Sequence, residues 1–486
     1  MLSDNEIESI IARVQGRVAA TEGPGRKGPS LRAANELGAA EEALLGDGIH
    51  PSIKAAVGAA KTAFAAYQAM GLESRRVIVE AMRAAMLREG ERLAYLAHAE
   101  TGLGRAEDKV MKNLLVTTQT PGPEDLEPQA VTGDEGMTVT EYAPYGVIGS
   151  ITPTTNPTST IINNSIAMVS AGNAVTFNVH PGAKLVSTEN IKLLNHAIVG
   201  AGGPPDLVTG VPNPTLDSAK ELMNHPDVRV LLVTGGPAVV GEALRTPKKA
   251  ITAGPGNPPA VVDQTADIDR AGRDIVRGAS FDNNIVCVDE KTTIVVDTVA
   301  DALVRAMVTA GAYRLKEHEL RRLERVIFKQ MGAPNKPGVI NPVWIGKNAS
   351  DLLGEIGVSA DGDVRLLVAE VPSEHSLVWT EQMMPVMPVV RVKDVDTAID
   401  LSVRSEHGFH HTASIHSTNV DTITTMARAM NCSILVANGS NVAGLGHGGE
   451  GFTSFSIASP TGEGLTRPRT FSRIRRVSVV GALRIV

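Results

Sequence analysis

Cys287 stands in the segment Phe281-Asp282-Asn283-Asn284-Ile285-Val286-Cys287-Val288-Asp289-Glu290. The polar Asp-Asn-Asn turn before it marks a loop between a helix and a strand, where a thiol can be exposed and act as a nucleophile. A lone cysteine is also commonly a small buried hydrophobe, so the residue by itself leaves both roles open. Cys432 opens the apolar run Ser433 to Ala437 and reads as core. Asn156 follows the strand-like run Gly146 to Ile151 through Thr152-Pro153-Thr154-Thr155 and precedes Pro157. Its amide therefore falls at a strand end and a helix start, where a donor can meet an anionic oxygen, although an asparagine there is also an ordinary helix cap. Literal G-x-G-x-x-G strings at Gly23 to Gly28 and within Gly444 to Gly451 lie between no strand and helix, and carry no dinucleotide fingerprint.

The elements that must position these residues follow from the apolar pattern. Strand-like runs at Gly146 to Ile151, Ala174 to Val179, Asp206 to Val211, Val228 to Val233 and Pro259 to Val262 alternate with helical stretches. Those stretches are Asn156 to Ser170, Lys184 to Val199, Leu216 to Asn224, Pro237 to Leu244 and Asp267 to Ala279. Such alternation predicts an α/β fold of βαβ units around a parallel sheet that binds ligands at the carboxyl ends of its strands. A second α/β stretch follows, with strands at Thr292 to Val296, Pro388 to Val392, Thr412 to His416 and Ser433 to Val436, and helices near Val299 to Leu315 and Thr422 to Met430. The chain is helical from about residue 40 to Ala99. Gly136 to Tyr142 and Arg473 to Val486 read as extended strands outside both cores, suited to pairing between subunits. At the start, Ser3 to Glu6 form a capping box before Ile7, Ile10, Ile11, Val14 and Val18, one apolar helical face. Thr21 to Ser30 is a Gly/Pro-rich tether, so this face packs on the protein's own body, on another subunit or on another protein.

Composition narrows the classes. The 486 residues fit two or three domains, with 43% hydrophobic and 20% charged residues. A net charge of −7 without a basic stripe gives no support for nucleic acid or an anionic membrane. Two cysteines form neither a disulfide framework nor a Cys-rich metal site, so no metal is expected. No apolar run reaches membrane-spanning length and no secretory leader is present, which predicts a soluble cytoplasmic protein.

Together these segments resemble the aldehyde dehydrogenase superfamily, and within it the coenzyme A-acylating branch, over nearly the whole chain. Tyr145 to Pro153 with Asn156-Pro157 resembles the strand leading to the family's oxyanion asparagine, and Ala171-Gly172-Asn173-Ala174-Val175 the next strand entry. Val233-Thr234-Gly235-Gly236-Pro237 resembles the turn under the dinucleotide, and Glu381 with Met384-Pro385-Val386 the segment whose Glu holds the nicotinamide ribose. Longer strings, Thr160 to Ser165, Gly256 to Pro259, His410 to Ala413 and Gly448 to Phe452, are most similar to the propionaldehyde dehydrogenases of bacterial microcompartments.

The resemblance implies an aldehyde dehydrogenase-like fold: a Rossmann-like NAD-binding domain (41–125 and 146–252, plus about 439–468), a second α/β catalytic domain (253–438) and a small β oligomerisation extension (126–145 and 469–486). Residues 1–18 would be a helix directing the enzyme to microcompartment shell proteins, on a flexible linker, 19–40. It implies Cys287 as nucleophile and Asn156 as oxyanion donor, with Thr152, Pro153, His180, Pro181, Thr234, Gly235, Gly236 and Glu381 around NAD. A homodimer or homotetramer inside a bacterial microcompartment is implied as well. An ordinary cysteine of pKa about 8.5 is only a few per cent ionised at neutral pH, so Cys287 needs backbone N–H groups and a nearby cation, which the sequence does not identify.

The sequence departs from hydrolytic relatives at Ile251 to Pro258, where they carry a Glu that activates water and this chain has no carboxylate. Asn178, followed by His180-Pro181, replaces their ribose-binding Lys, a departure the acylating branch shares. Coenzyme A, itself a thiol, would then take the acyl group, giving an acyl-CoA from a short aldehyde. The alternatives are a hydrolytic dehydrogenase in which Asp282 or Glu290 stands in as base, NADP in place of NAD, and a non-enzymatic scaffold of the same fold.

Overall fold

A computed structural model describes residues 45–360 and 362–484, so the expected N-terminal helix and its linker lie outside the described residues. A hairpin of β1 (Gln129–Gly133) and β2 (Gly136–Pro144) leads into β3 (Val147–Ile151), β4 (Ala174–Asn178), β5 (Val208–Gly210), β6 (Val228–Thr234) and β7 (Lys249–Ala253). The last five make a parallel sheet in the order β5-β4-β3-β6-β7. Every side chain of β3 and β4 is buried, as expected of apolar, β-branched strands covered on both faces. The order reverses between β3 and β6, which places the ligand crevice of such a sheet at their carboxyl ends. The helix leaving β3, Pro157–Ser170, starts with proline at its first position and turns off at Gly172 (φ +82°).

The second sheet is also parallel: β8 (Pro259–Val262), β9 (Thr292–Val296), β10 (Ala312–Arg314), β13 (Leu366–Glu370), β14 (Val386–Val392), β15 (Thr412–His416) and β16 (Ile434–Ala437), in the order β10-β13-β14-β9-β8-β15-β16. A small hairpin of β11 (Phe328–Gln330) and β12 (Val339–Ile340) flanks it, while β17 (Ile457–Ala458) and β18 (Gly464–Leu465) form another against β7 of the first sheet before the last strand, β19 (Ser472–Val480). One apolar core fills the first sheet's faces, and two others lie on the faces of the second.

Several expectations need correction. The helix expected to reach Leu315 ends at Thr309, because Gly311 (φ +99°) turns the chain and Ala312–Arg314 pair with β13. The helical region after residue 40 is two helices, Ile53–Gln68 and Leu72–Thr101, and a third, Ala106–Gln119, follows. β7, β10 and β13 are absent from the sequence reading. Gly136 to Tyr142 was expected to pair between subunits, but β2 is the central strand of the order β1-β2-β19 and bonds to β19 along nine residues of the same chain. No helix among the described residues is long and apolar enough to cross a membrane.

Candidate active site

A cavity of about 480 Å³ opens at the carboxyl ends of β3 and β6 and is closed on its far side by the loop before β9. All ten residues predicted from the sequence line it, including Cys287, Asn156 and Glu381. On the first-sheet wall the Thr152 hydroxyl is buried without a partner. Gly236 precedes the helix Pro237–Leu244 and offers no side-chain cap, so the helix's first N–H groups remain free for a ligand. A Cβ on Gly236 would meet nothing within 4 Å, whereas Thr234 Oγ1 is tied to Ser456 Oγ at 2.9 Å. His180 Nδ1 accepts from the Gly182 N–H at 3.0 Å, and burial lowers the imidazole pKa. Free amides at a helix start beside an orphaned hydroxyl fit the pyrophosphate of a dinucleotide.

The opposite wall is built differently. Asp282, Asn283 and Asn284 have φ of 45°, 54° and 64°, three consecutive left-handed residues of the types that tolerate this conformation best. Each is tied down. Asp282 Oδ1 accepts from the Arg105 N–H at 2.6 Å, and Oδ2 accepts from Lys109 Nζ at 2.9 Å and from Lys112 Nζ. Asn283 Nδ2 donates to Gly346 O and Asn348 Oδ1, both at 2.9 Å. Asn284 Nδ2 donates to Ala279 O at 2.8 Å and Glu290 O at 2.9 Å. Lys291 Nζ then braces the loop from inside, donating to Asn284 O and Oδ1 at 2.7 Å and Val286 O at 3.2 Å.

The loop presents Cys287 half-buried on the cavity wall. Burial and the Glu381 carboxylate push its thiol up to about 12, against the pull of Lys291. Lys291 is thus the nearby cation the sequence left unnamed, and burial outweighs it.

Asn156 sits at the N-cap position of its helix, yet its side chain caps nothing. Instead Oδ1 accepts from Lys112 Nζ at 2.7 Å and Nδ2 donates to Thr155 Oγ1 at 3.1 Å. The simple cap reading is therefore set aside. Neither candidate stand-in base lines the cavity. Burial raises the Asp282 carboxyl, but Lys109 and Lys112 outweigh it and hold the group below the usual range. Burial pushes Glu290 up to about 8, and its Oε1 accepts from the Asn441 N–H at 2.8 Å. Glu381 is the one carboxylate on the wall among the described residues; Oε1 accepts from the Gly256 N–H at 3.4 Å, and burial raises its pKa against Lys291. Within Ile251 to Pro258 the backbone comes close to the nucleophile loop at Gly256, where a Cβ would lie 2.6 Å from Cys287 O.

Sequence reasoning missed Lys109, Lys112 and Lys291. The signal for the first two is their i, i+3 spacing on the helix Ala106–Gln119, which puts both on one face.

A doubly wound dinucleotide sheet whose switch point faces a cysteine loop defines a class of nicotinamide-linked oxidoreductases, and the aldehyde dehydrogenase family model matches residues 46–319 and 365–461. The chain belongs to the aldehyde dehydrogenase family. It is similar to the acetylating acetaldehyde dehydrogenase of Salmonella typhimurium, 48% identical over 440 residues that cover 90% of this chain and 94% of the relative. Rhodopseudomonas palustris propionaldehyde dehydrogenase, solved with bound CoA and an acylated cysteine, is 45% identical, with a TM-score of 0.88 over 91% of this chain and 100% of that one. The propionaldehyde dehydrogenase from the Clostridium phytofermentans fucose utilisation bacterial microcompartment is 42% identical, with a TM-score of 0.88 over the same shares, 91% and 100%.

Proposed function

We propose that the chain converts a short aliphatic aldehyde, propionaldehyde first, into its CoA thioester while a nicotinamide dinucleotide, NAD, is reduced. The Cys287 sulfur adds to the aldehyde carbon, and the carbonyl oxygen, gaining charge, is received by the Asn156 amide and the Cys287 N–H. The bound dinucleotide supplies the hydride acceptor. The Cys287 thiol proton passes to the carbonyl oxygen, and loss of a hydride from the former aldehyde carbon and of the proton from the oxygen leaves a thioester on Cys287. The CoA thiol, giving up its proton, attacks the thioester carbon, and Cys287 departs as a thiolate that is reprotonated. Thr152, Pro153, His180, Pro181, Thr234, Gly235 and Gly236 would form the dinucleotide cradle, and Glu381 would hold the nicotinamide ribose. In this division the first sheet (residues 146–252) carries the cofactor and the second (253–438) carries the nucleophile.

The observation that carries this reading is that Cys287 and Asn156 share one cavity with the switch point, while Ile251 to Pro258 brings no carboxylate to it. One feature favours hydrolysis to the free acid as a second reading: Glu381 lies on the wall and its charge is felt at Cys287. NADH formation from propionaldehyde decides. With coenzyme A present, steady turnover is expected; without it, no more than one equivalent per active site. Full turnover and free acid without coenzyme A establish the hydrolytic reading.

Residues 1–18 direct the enzyme to the shell of a microcompartment in a bacterial cytoplasm, a reading supported by the helical spacing of their apolar residues in the sequence and by the microcompartment relative. A homodimer or homotetramer is supported by the edge strand β19, which exposes Ile474 and Val480 at 72% and 80%.

A further inference from the structure

Lys112 is 1% exposed on the helix Ala106–Gln119, and its ammonium reaches two elements far apart in the chain. It donates to Asn156 Oδ1 at 2.7 Å on one side and to Asp282 Oδ2, at the start of the nucleophile loop, on the other. A weaker bond runs to Thr155 O at 3.5 Å. An ammonium has donors only, and a side-chain amide has an acceptor end and a donor end. Asn156 can therefore face Lys112 only with its oxygen, since the flipped amide would set NH₂ against NH₃⁺. That selection turns Nδ2 away from Lys112, with Thr155 Oγ1 as its partner at 3.1 Å and a second N–H left for a ligand. The positive charge on Oδ1 also polarises the amide and strengthens its N–H groups as donors.

The same ammonium holds Asp282, whose left-handed backbone (φ 45°) begins the loop that carries Cys287. Lys109 shares the Asp282 carboxylate at 2.9 Å but has no bond to Asn156, so the molecule contains its own control. We propose that Lys112 is a positioning residue that selects the orientation of the Asn156 amide and keeps it in register with the Cys287 loop. The inference rests on the reading of Asn156 as oxyanion donor and Cys287 as nucleophile.

The test is a double-mutant cycle on the full chain, reading the single-turnover rate of NADH release from propionaldehyde and NAD. Lys112→Met is expected to slow thioester formation about 100-fold, the scale of a lost oxyanion donor, with the KM for coenzyme A unchanged. In an Asn156→Ala background the same change should cost less than about threefold, because the group it positions is gone. Lys109→Met acts through Asp282 and should cost the same in both backgrounds, because Lys109 makes no bond to Asn156. If Lys112→Met does not fold, Lys112→Gln, whose amide offers an acceptor as well as a donor and so no longer selects the Asn156 orientation, replaces it in the cycle. Equal losses from the Lys112 change in both backgrounds overturn the inference while leaving the function standing. An Asn156→Ala enzyme with the parental rate overturns the oxyanion reading and this inference with it.

Discussion

The two walls of the cavity solve the same problem, holding polar groups toward a ligand, by opposite means. On the first-sheet side the groups are backbone amides and a hydroxyl at strand and helix ends, with Gly236 leaving room for an approach. On the nucleophile side the groups hang on buried charges: Lys109, Lys112 and Asp282 lie at 2% exposure or less, and Asp108 beyond them ties the Asp282 N–H at 2.9 Å to Arg365 at 2.9 Å. A wall made of main-chain groups is set by topology and tolerates side-chain change. A wall made of buried ions has large opposing terms, so removing one partner exposes the whole desolvation cost of the others.

The sharpest way to break this contrast is Asp282→Ala, which leaves two buried ammonium groups without their carboxylate. It should cost about 3 to 5 kcal/mol of stability in urea unfolding. A loss below about 1 kcal/mol would mean the lattice is not what holds the loop. Next, Asn156→Ala should lower the rate of thioester formation about 10² to 10³-fold with little change in dinucleotide KM, since it touches the reaction and not the cradle.

A smaller effect concerns pH. With the Cys287 thiol pushed up to about 12, the reactive thiolate is the minor form throughout the neutral range and grows tenfold for each pH step. Alkylation by iodoacetamide in a Cys432→Ser background, without aldehyde or dinucleotide, should therefore rise about tenfold per unit from pH 7 to 9 with no plateau. A plateau near pH 8 would show that Lys291 outweighs burial. Glu381→Gln removes the carboxylate that repels the thiolate, so at pH 8 alkylation should become a few-fold faster while the KM for NAD rises. Unchanged alkylation would separate Glu381 from the nucleophile.

The first wall was legible in the sequence, because its signals are local. Apolar runs announce β3 and β6, and Thr234-Gly235-Gly236 sits at a strand end by chain order alone. The Asp-Asn-Asn turn was equally visible, since left-handed backbone selects those residue types. The charges under the second wall were not. Lys109 and Lys112 look like the solvated side of an ordinary helix, and only the approach of Asp282, far along the chain, buries them. β10 and β13 were missed for a related reason: β10 is three residues long and belongs to the sheet only through its pairing with β13.

The claim at the centre is that Cys287 carries the acyl group and releases it to a thiol and not to water. Intact-protein mass after one turnover of propionaldehyde and NAD without coenzyme A, followed by peptide mapping, reads this directly. The account predicts a propionyl adduct on Cys287 that persists in buffer and disappears at once when coenzyme A is added. No adduct on Cys287, or an adduct lost in buffer as fast as with coenzyme A, would contradict it.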